Sequence, residues 1–177
     1  MHHRNSLRPD GAVRDLSELF ASEFPRLSRY LERVSGEAEV AADLAQEAFV
    51  RLHKRGELPD SPSAWLVSVA LNLFRNLRNA ERRRRELLTP ERAAHSMGEG
   101  SAEPDALDTA RDVRARVRRT LDAMPERDRD LLLLHSEGYR YREIALALGL
   151  NEASVGTLLA RARRGFKDRY EGNSDAS

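Results

Sequence analysis

The chain has 177 residues, of which 33% are charged and 6% aromatic, and its lysines and arginines exceed its acids by a single charge. That length holds one or two small domains, and so balanced a total leaves no bulk charge with which to coat a polyanion, so any nucleic-acid contact must come from local clusters. The absence of cysteine excludes disulfides and cysteine-ligated zinc or iron–sulfur centres. No apolar run approaches the roughly 20 residues that span a bilayer. The start, MHHRNSLRPDG, lacks the apolar stretch of a secretory signal. A cytoplasmic protein without membrane insertion is expected.

Residues 1–12 read as a polar arm. A helical pattern begins near Val13, with Leu16, Leu19, Phe20, Phe24, Leu27, Leu31 and Val34 as its apolar positions. Ser35-Gly36 breaks it. The second helix, about 37–54, places Val40, Leu44, Ala48 and Leu52 on one stripe, and acids in its first turn suit the helix dipole. Beside that stripe lie Asp43, Gln46, Glu47 and Val50. This face reads either as an acidic docking surface for a basic helix of another protein or as plain solvation, with Glu47 and Arg51 forming an i,i+4 pair.

Gly56 to Asp60 is a loop, and Ser61-Pro62 reads as N-cap plus first-turn proline. The third helix carries Leu66, Val69, Ala70, Leu73, Leu77 and Ala80 on one face and reaches the arginine run Arg82–Arg85. Trp65 reads as a core anchor in preference to a stacking platform. Asn72, Asn76 and Asn79 recur at helical spacing and are flanked by Arg75, Arg78 and Arg82. Asparagine is a mediocre helix former, so three on one face ask for a reason. Amides bond base edges, and arginines hold phosphates or stack on bases.

From residue 87 to 105 the pattern fails. Pro90, Gly98, Gly100 and Pro104, with Ser and Glu between them, mark a flexible linker. Periodicity resumes near Ala106. Pro125 suits the first turn of a further helix whose buried run is Leu131–Leu134, and Gly138 offers its stop. Tyr141 to Leu148 is a short amphipathic helix with Ile144, Ala145 and Leu148 inward. Gly149-Leu150-Asn151 is a turn, and a last helix opens at Glu152 with Val155, Leu159, Ala162 and Phe166 inward. Helix, tight glycine turn, helix is the layout that sets a recognition helix in a DNA major groove. Arg161, Arg163, Arg164 and Lys167 lie off the apolar stripe, where phosphates are met. The expected fold is all-α, with two small helical domains over 13–86 and 106–171, the linker between them and a tail over 172–177. Two basic helices so tethered suggest contact with DNA at two separated places.

The segments ADLAQEAFVRL (Ala42–Leu52), AWLVSVALNLFRNLR (Ala64–Arg78) and Leu121–Phe166, in this order, resemble the extracytoplasmic-function (ECF) class of RNA polymerase sigma factors. The resemblance implies that the first domain is a sigma region two helical bundle and the second a region four helix-turn-helix. It implies that Asp43, Gln46, Glu47 and Phe49 dock on the clamp of core RNA polymerase. Asn72, Arg75, Asn76, Arg78, Asn79 and Arg82 would read and open the −10 element of promoter DNA. The loop Gly56–Ser61 would take a flipped base, at an unstacking cost of a few kcal/mol. Glu152, Ser154, Gly156 and Thr157 would face the −35 bases, with Arg161 and Arg164 on the backbone. It also implies an anti-sigma protein as a further partner.

The chain departs from the family where Asn76 replaces a frequent acid, Asn79 an arginine, Gly156 a basic residue and Leu158 an arginine, so −35 readout is short of cations. A stand-alone helix-turn-helix regulator explains only the second domain. A sigma mimic that sequesters an anti-sigma protein has no need of the arginines at 82–85 and 161–164. An enzyme is disfavoured: His2, His3, His53, His95 and His135 show no metal-ligand spacing, and no phosphate loop or nucleophile motif occurs. No metal and no cofactor are expected.

Overall fold

The computed structural model describes residues 9–87 and 106–172. Most of the arm expected at 1–12, nearly all of the linker and nearly all of the tail lie outside the described residues. The elements are α1 (Pro9–Ser35), α2 (Ala38–Arg55), α3 (Pro62–Leu87), α4 (Ala106–Asp122), α5 (Glu126–Ser136), α6 (Tyr141–Leu148) and α7 (Glu152–Gly172). Among the described residues the fold is all-α, as expected.

Helix α1 starts four residues earlier than the apolar pattern, at Pro9, a residue whose missing N–H and fixed φ suit a helix start. Gly36, at φ +85°, turns the chain so that α2 lies back along α1. Gly56, at φ +78°, closes α2 by donating its N–H to the His53 carbonyl at 3.1 Å. Leu27, Leu31, Ala45, Leu52, Leu66, Val67 and Leu71 are the buried side chains that α1, α2 and α3 give to the core, and that core runs on into the second group of helices. The predicted stripe of α3 fails at its far end, where Leu77 and Ala80 are exposed, while Val67, Leu71 and Phe74 are buried. Beyond Phe74 the helix outruns its partners, so an apolar face there finds nothing to cover it.

The second group of helices packs α5, α6 and α4 around α7. Leu131, Leu134, Ile144, Val155 and Leu159 are its fully buried side chains. Pro125 is the N-cap of α5, one place before its first turn, and its carbonyl accepts the amides of Asp128 and Arg129 at 3.0 Å each. Between α6 and α7, Gly149 adopts φ +65° and bonds back to Ala145, and the Asn151 side chain accepts the Ala153 amide at 2.9 Å. The Asn151 amide oxygen is thus an N-cap for α7.

Between the two helical groups, α1 rests on α5 and α3 on α6. The sequence pattern carries no sign of this contact, because much of it is charge pairing, such as Arg75 with Glu126 and Arg29 with Glu137. Ser68 donates its hydroxyl to the Ala147 carbonyl at 3.1 Å. Arg118 of α4 donates to the carbonyls of Arg33 and Val34 at 3.0 and 3.3 Å, satisfying groups that the end of α1 leaves open. Gly36 makes room for that guanidinium, since a Cβ there would lie 2.8 Å from it.

Candidate nucleic-acid interface

Three faces carry the predicted residues. On α2, Asp43 and Gln46 are exposed and Glu47 is half-buried, its carboxylate taking the Arg51 guanidinium at 2.8 Å. Val50 beside them is exposed as well. Phe49 does not join this surface. It is buried, edge-on to Phe20 at 4.9 Å and tilted against Phe24 at 6.1 Å. Of the four residues expected to dock, it is the one the fold places in the core: the ring braces α2 from behind, because its position falls on the core side one residue past Ala48.

On α3, Asn72, Asn76, Arg78, Asn79 and Arg82 are all exposed. The Arg78 guanidinium stands 5.8 Å over the Phe74 ring, and Arg82 pairs loosely with Glu86 at 3.7 Å. An open cleft of about 630 Å³ continues this basic face, with Arg78, Arg82, Arg85, Arg118 and Arg129 on its walls. Arg75 differs from its neighbours. Its Nε donates to Glu126 at 2.7 Å, and its other end lies 3.7 Å from Asp130, both acids of α5. The loop from Gly56 to Ser61 is mainly exposed and presents the Leu58 side chain to solvent.

On α7, Glu152, Ser154, Thr157, Arg161 and Arg164 are exposed and Gly156 is half-buried. Arg161 leans on Asp128 at 3.3 Å, and Arg163 approaches His135 Nδ1 at the same distance. A Cβ on Gly156 would meet the Tyr141 ring at 3.5 Å, an ordinary contact. Gly156→Ala is therefore expected to stabilise α7, by up to about 1 kcal/mol. A rise in Tm by calorimetry checks this, and a fall would mean that the α6–α7 contact is tighter than 3.5 Å implies.

The charged residues between the two helical groups were not singled out by the sequence pattern. Arg26 donates to the Glu137 carbonyl at 3.0 Å and lies 3.5 Å over the Tyr139 ring. Arg29 and Arg33 hold the Glu137 carboxylate at 3.0 and 2.9 Å. Asp130 is fully buried, with Arg129 at 3.5 Å and Arg75 at 3.7 Å. Burial raises its pKa to about 6 against the pull of the two arginines. Burial likewise pushes the Tyr30 phenol beside it well above the ordinary tyrosine value. Neither Asp130 oxygen has a hydrogen-bond partner among the described residues. The one signal available beforehand was the acid pattern Glu126, Asp128, Asp130 beside arginine, which periodicity reads only as a solvated face.

Among the described residues no cluster of His, Asp or Glu is arranged to hold a metal ion, and no single helix is long and apolar enough to cross a membrane. The arrangement offers hydrogen-bond donors, guanidinium groups and an exposed acidic face.

Two family profiles match the chain. Sigma-70 region 2 covers residues 19–84, and Sigma-70, region 4 covers residues 114–164. Over 160 residues the chain is 28% identical to the ECF RNA polymerase sigma factor SigE of Mycolicibacterium smegmatis, covering 89% of this chain and 62% of that protein. Over 171 residues it is 27% identical to the RNA polymerase sigma factor CarQ of Myxococcus xanthus, covering 92% and 91%. The chain thus spans just under two thirds of SigE and nearly all of CarQ. A solved structure of the sigma factor RpoE from Bartonella quintana, in complex with the anti-sigma factor NepR, matches with a TM-score of 0.63 at 16% identity. That match covers 89% of this chain and 98% of RpoE, and it concerns the fold alone.

Proposed function

Since the chain belongs to the sigma-70 family, in its extracytoplasmic-function type, we propose that it is a dissociable promoter-specificity subunit of RNA polymerase. The exposed acidic face of α2, with Asp43, Gln46 and Glu47, docks on core polymerase. The Asn/Arg face of α3 holds and opens the −10 element, with Asn72 and Asn76 toward bases and Arg75, Arg78 and Arg82 toward phosphates or exposed rings. Helix α7 enters the −35 major groove. Ser154 and Thr157 supply hydroxyls there, and Arg161 and Arg164 hold the backbone. The protein acts by binding, as a cytoplasmic partner of the polymerase that performs the chemistry, and an anti-sigma protein occludes it when it is not needed.

The observation that carries this reading is the exposed stripe of Asn72, Asn76 and Asn79 among arginines, on the same chain as a helix-turn-helix. A stand-alone duplex binder has no use for that stripe. The test is run-off transcription with bacterial core polymerase on a genomic fragment library. Transcripts sharing an upstream motif are expected. Asn72→Ala should slow promoter opening, and Arg161→Ala should weaken binding on all sequences while lowering the salt slope by about one. Absence of transcripts from a folded protein that binds core would sink the reading. Retrieval of an inhibitor without transcription would favour the mimic.

A further inference from the structure

We propose that the cleft between α3 and the α4–α5 corner is a binding site for a small polyphosphate anion, either the phosphate chain of a nucleotide or an inorganic polyphosphate. The site does not depend on which DNA element α3 meets.

The cleft has two lobes that share Phe74, Arg78, Asn79, Asp122 and Arg129. One lobe is about 630 Å³ and the other about 400 Å³, and each is the size of a small-ligand pocket. Arg82, Arg85 and Arg118 join the larger lobe, so five arginines line it against the acids Glu37, Glu81 and Asp122. Asp122 is already taken by Arg118 at 3.0 Å. The balance of charge on the walls is positive, which draws an anion and repels a cation.

Arg129 carries the inference. Its side chain is 7% exposed, against 73% for that of Arg82, so Arg129 lies deep in the cleft and Arg82 at its mouth. The Nε of Arg129 has no hydrogen-bond partner among the described residues, and its nearest acid, Asp130, stands 3.5 Å away. A buried donor without an acceptor is costly and rare in folded proteins. A phosphate oxygen supplies the missing acceptor, and guanidinium with phosphate is among the stronger hydrogen-bonded pairs. Asp130 lines neither lobe. Arg118 donates to the carbonyls of Arg33 and Val34 at 3.0 and 3.3 Å as well as to Asp122. Its charge is therefore fixed in place before any ligand arrives.

The shape favours a compact ligand over a nucleic-acid strand. Ser35, Glu37 and Val40 form one wall of the larger lobe, the end of α3 a second, and Arg118, Asp122 and Arg129 a third. A strand follows an open groove whose aromatic rings stack successive bases. A recess walled on several sides, with its deepest arginine 7% exposed, admits a compact charged group. The smaller lobe adds Met124 beside the Phe74 ring and the Asn79 amide. These are an apolar surface and a group that both donates and accepts, which suits the base of a nucleotide. Arg78 and Arg82 belong to the −10 face as well, so a bound anion and a promoter phosphate compete for the same two guanidinium groups.

The test is calorimetric titration of the full chain with sodium tripolyphosphate and, separately, with ATP, at near-physiological salt. Saturable binding of both is expected. Arg85→Ala, at an exposed position, should weaken it about tenfold, the loss of one charge-assisted hydrogen bond. Arg129→Gln should weaken it at least as much, with helicity followed by circular dichroism; where helicity falls, Arg85→Ala alone decides. Arg142→Ala, exposed on α6 and lining neither lobe, should leave binding unchanged. Tighter binding of ATP than of tripolyphosphate assigns the smaller lobe to a base, and equal binding assigns the site to the phosphate chain alone. Absence of saturable binding in the unmodified chain would overturn the inference. So would binding that Arg85→Ala leaves intact, or that Arg142→Ala weakens equally, as diffuse surface charge does. A short oligothymidylate that loses as much affinity as ATP in both cleft variants would make the cleft a strand path and overturn it too. None of these readings uses polymerase or promoter, so a failed run-off assay counts against the transcription reading alone.

Discussion

Replacing both Asp43 and Glu47 with lysine is expected to abolish promoter-specific run-off transcription while the protein stays folded. Asp43 is exposed, and Glu47 pairs with Arg51 at 2.8 Å on the next turn. Losing such an i,i+4 pair costs about 0.5 kcal/mol or less, so the melting curve should barely move. The effect on docking is of another order. Reversing two charges on a face that meets a basic helix turns attraction into repulsion, and close interfacial charge pairs couple by about 1.5–7 kcal/mol. About 3 kcal/mol is a hundredfold loss of affinity. Titration of fluorescently labelled core polymerase with each chain measures it. A double variant that binds core as tightly as the parent would place the docking surface elsewhere on the molecule. Phe49→Ala provides a contrast. It should lower stability through the cavity left beside the stacked Phe20 and Phe24 rings, and it should lose core binding only in proportion to the unfolded fraction.

The parts of this fold that were legible in the sequence are those written in periodicity and turn chemistry. Leu27, Leu31 and Val34 recur at helical spacing and are buried. Gly149 and Asn151 mark the turn before α7, and the structure gives each a specific duty there. The errors also have causes. Leu77 continues a correct apolar stripe into a stretch of α3 that has no partner. Phe49, which the family pattern groups with the docking residues, has the phase of the core on α2. The packing of α5 on α1 and α3 was illegible because its determinants are charged. Arg26, Arg75, Arg118, Glu126 and Glu137 have the appearance of solvated side chains in any single-helix reading, and only their position in space pairs them across more than fifty residues of chain. Periodicity says which face of a helix is dry; it carries no information about which wet faces meet.

Leu159→Ala is expected to have the largest effect on stability. The side chain is fully buried in α7, the helix against which α4, α5 and α6 all pack. Truncating a buried leucine costs about 2.7–5 kcal/mol, the upper end where neighbours cannot collapse into the cavity. Collapse is difficult here because Val155 and Ala162, the flanking buried positions on α7, are already small. A helical unit of this size has only a few kcal/mol to lose, so the substitution removes most of its margin. Hydrogen exchange by mass spectrometry separates the consequences. Amides of α5 to α7 should lose about a hundredfold or more of their protection, while those of α2 keep theirs, because α2 packs on α1 and α3. Equal loss in both groups would mean that the shared core and the α1–α5 and α3–α6 contacts fuse them into one cooperative unit. Selective loss should also abolish duplex binding through α7, while the exposed Asp43 face of α2, outside the damaged helices, still meets core polymerase. No general loss of folding separates those two activities.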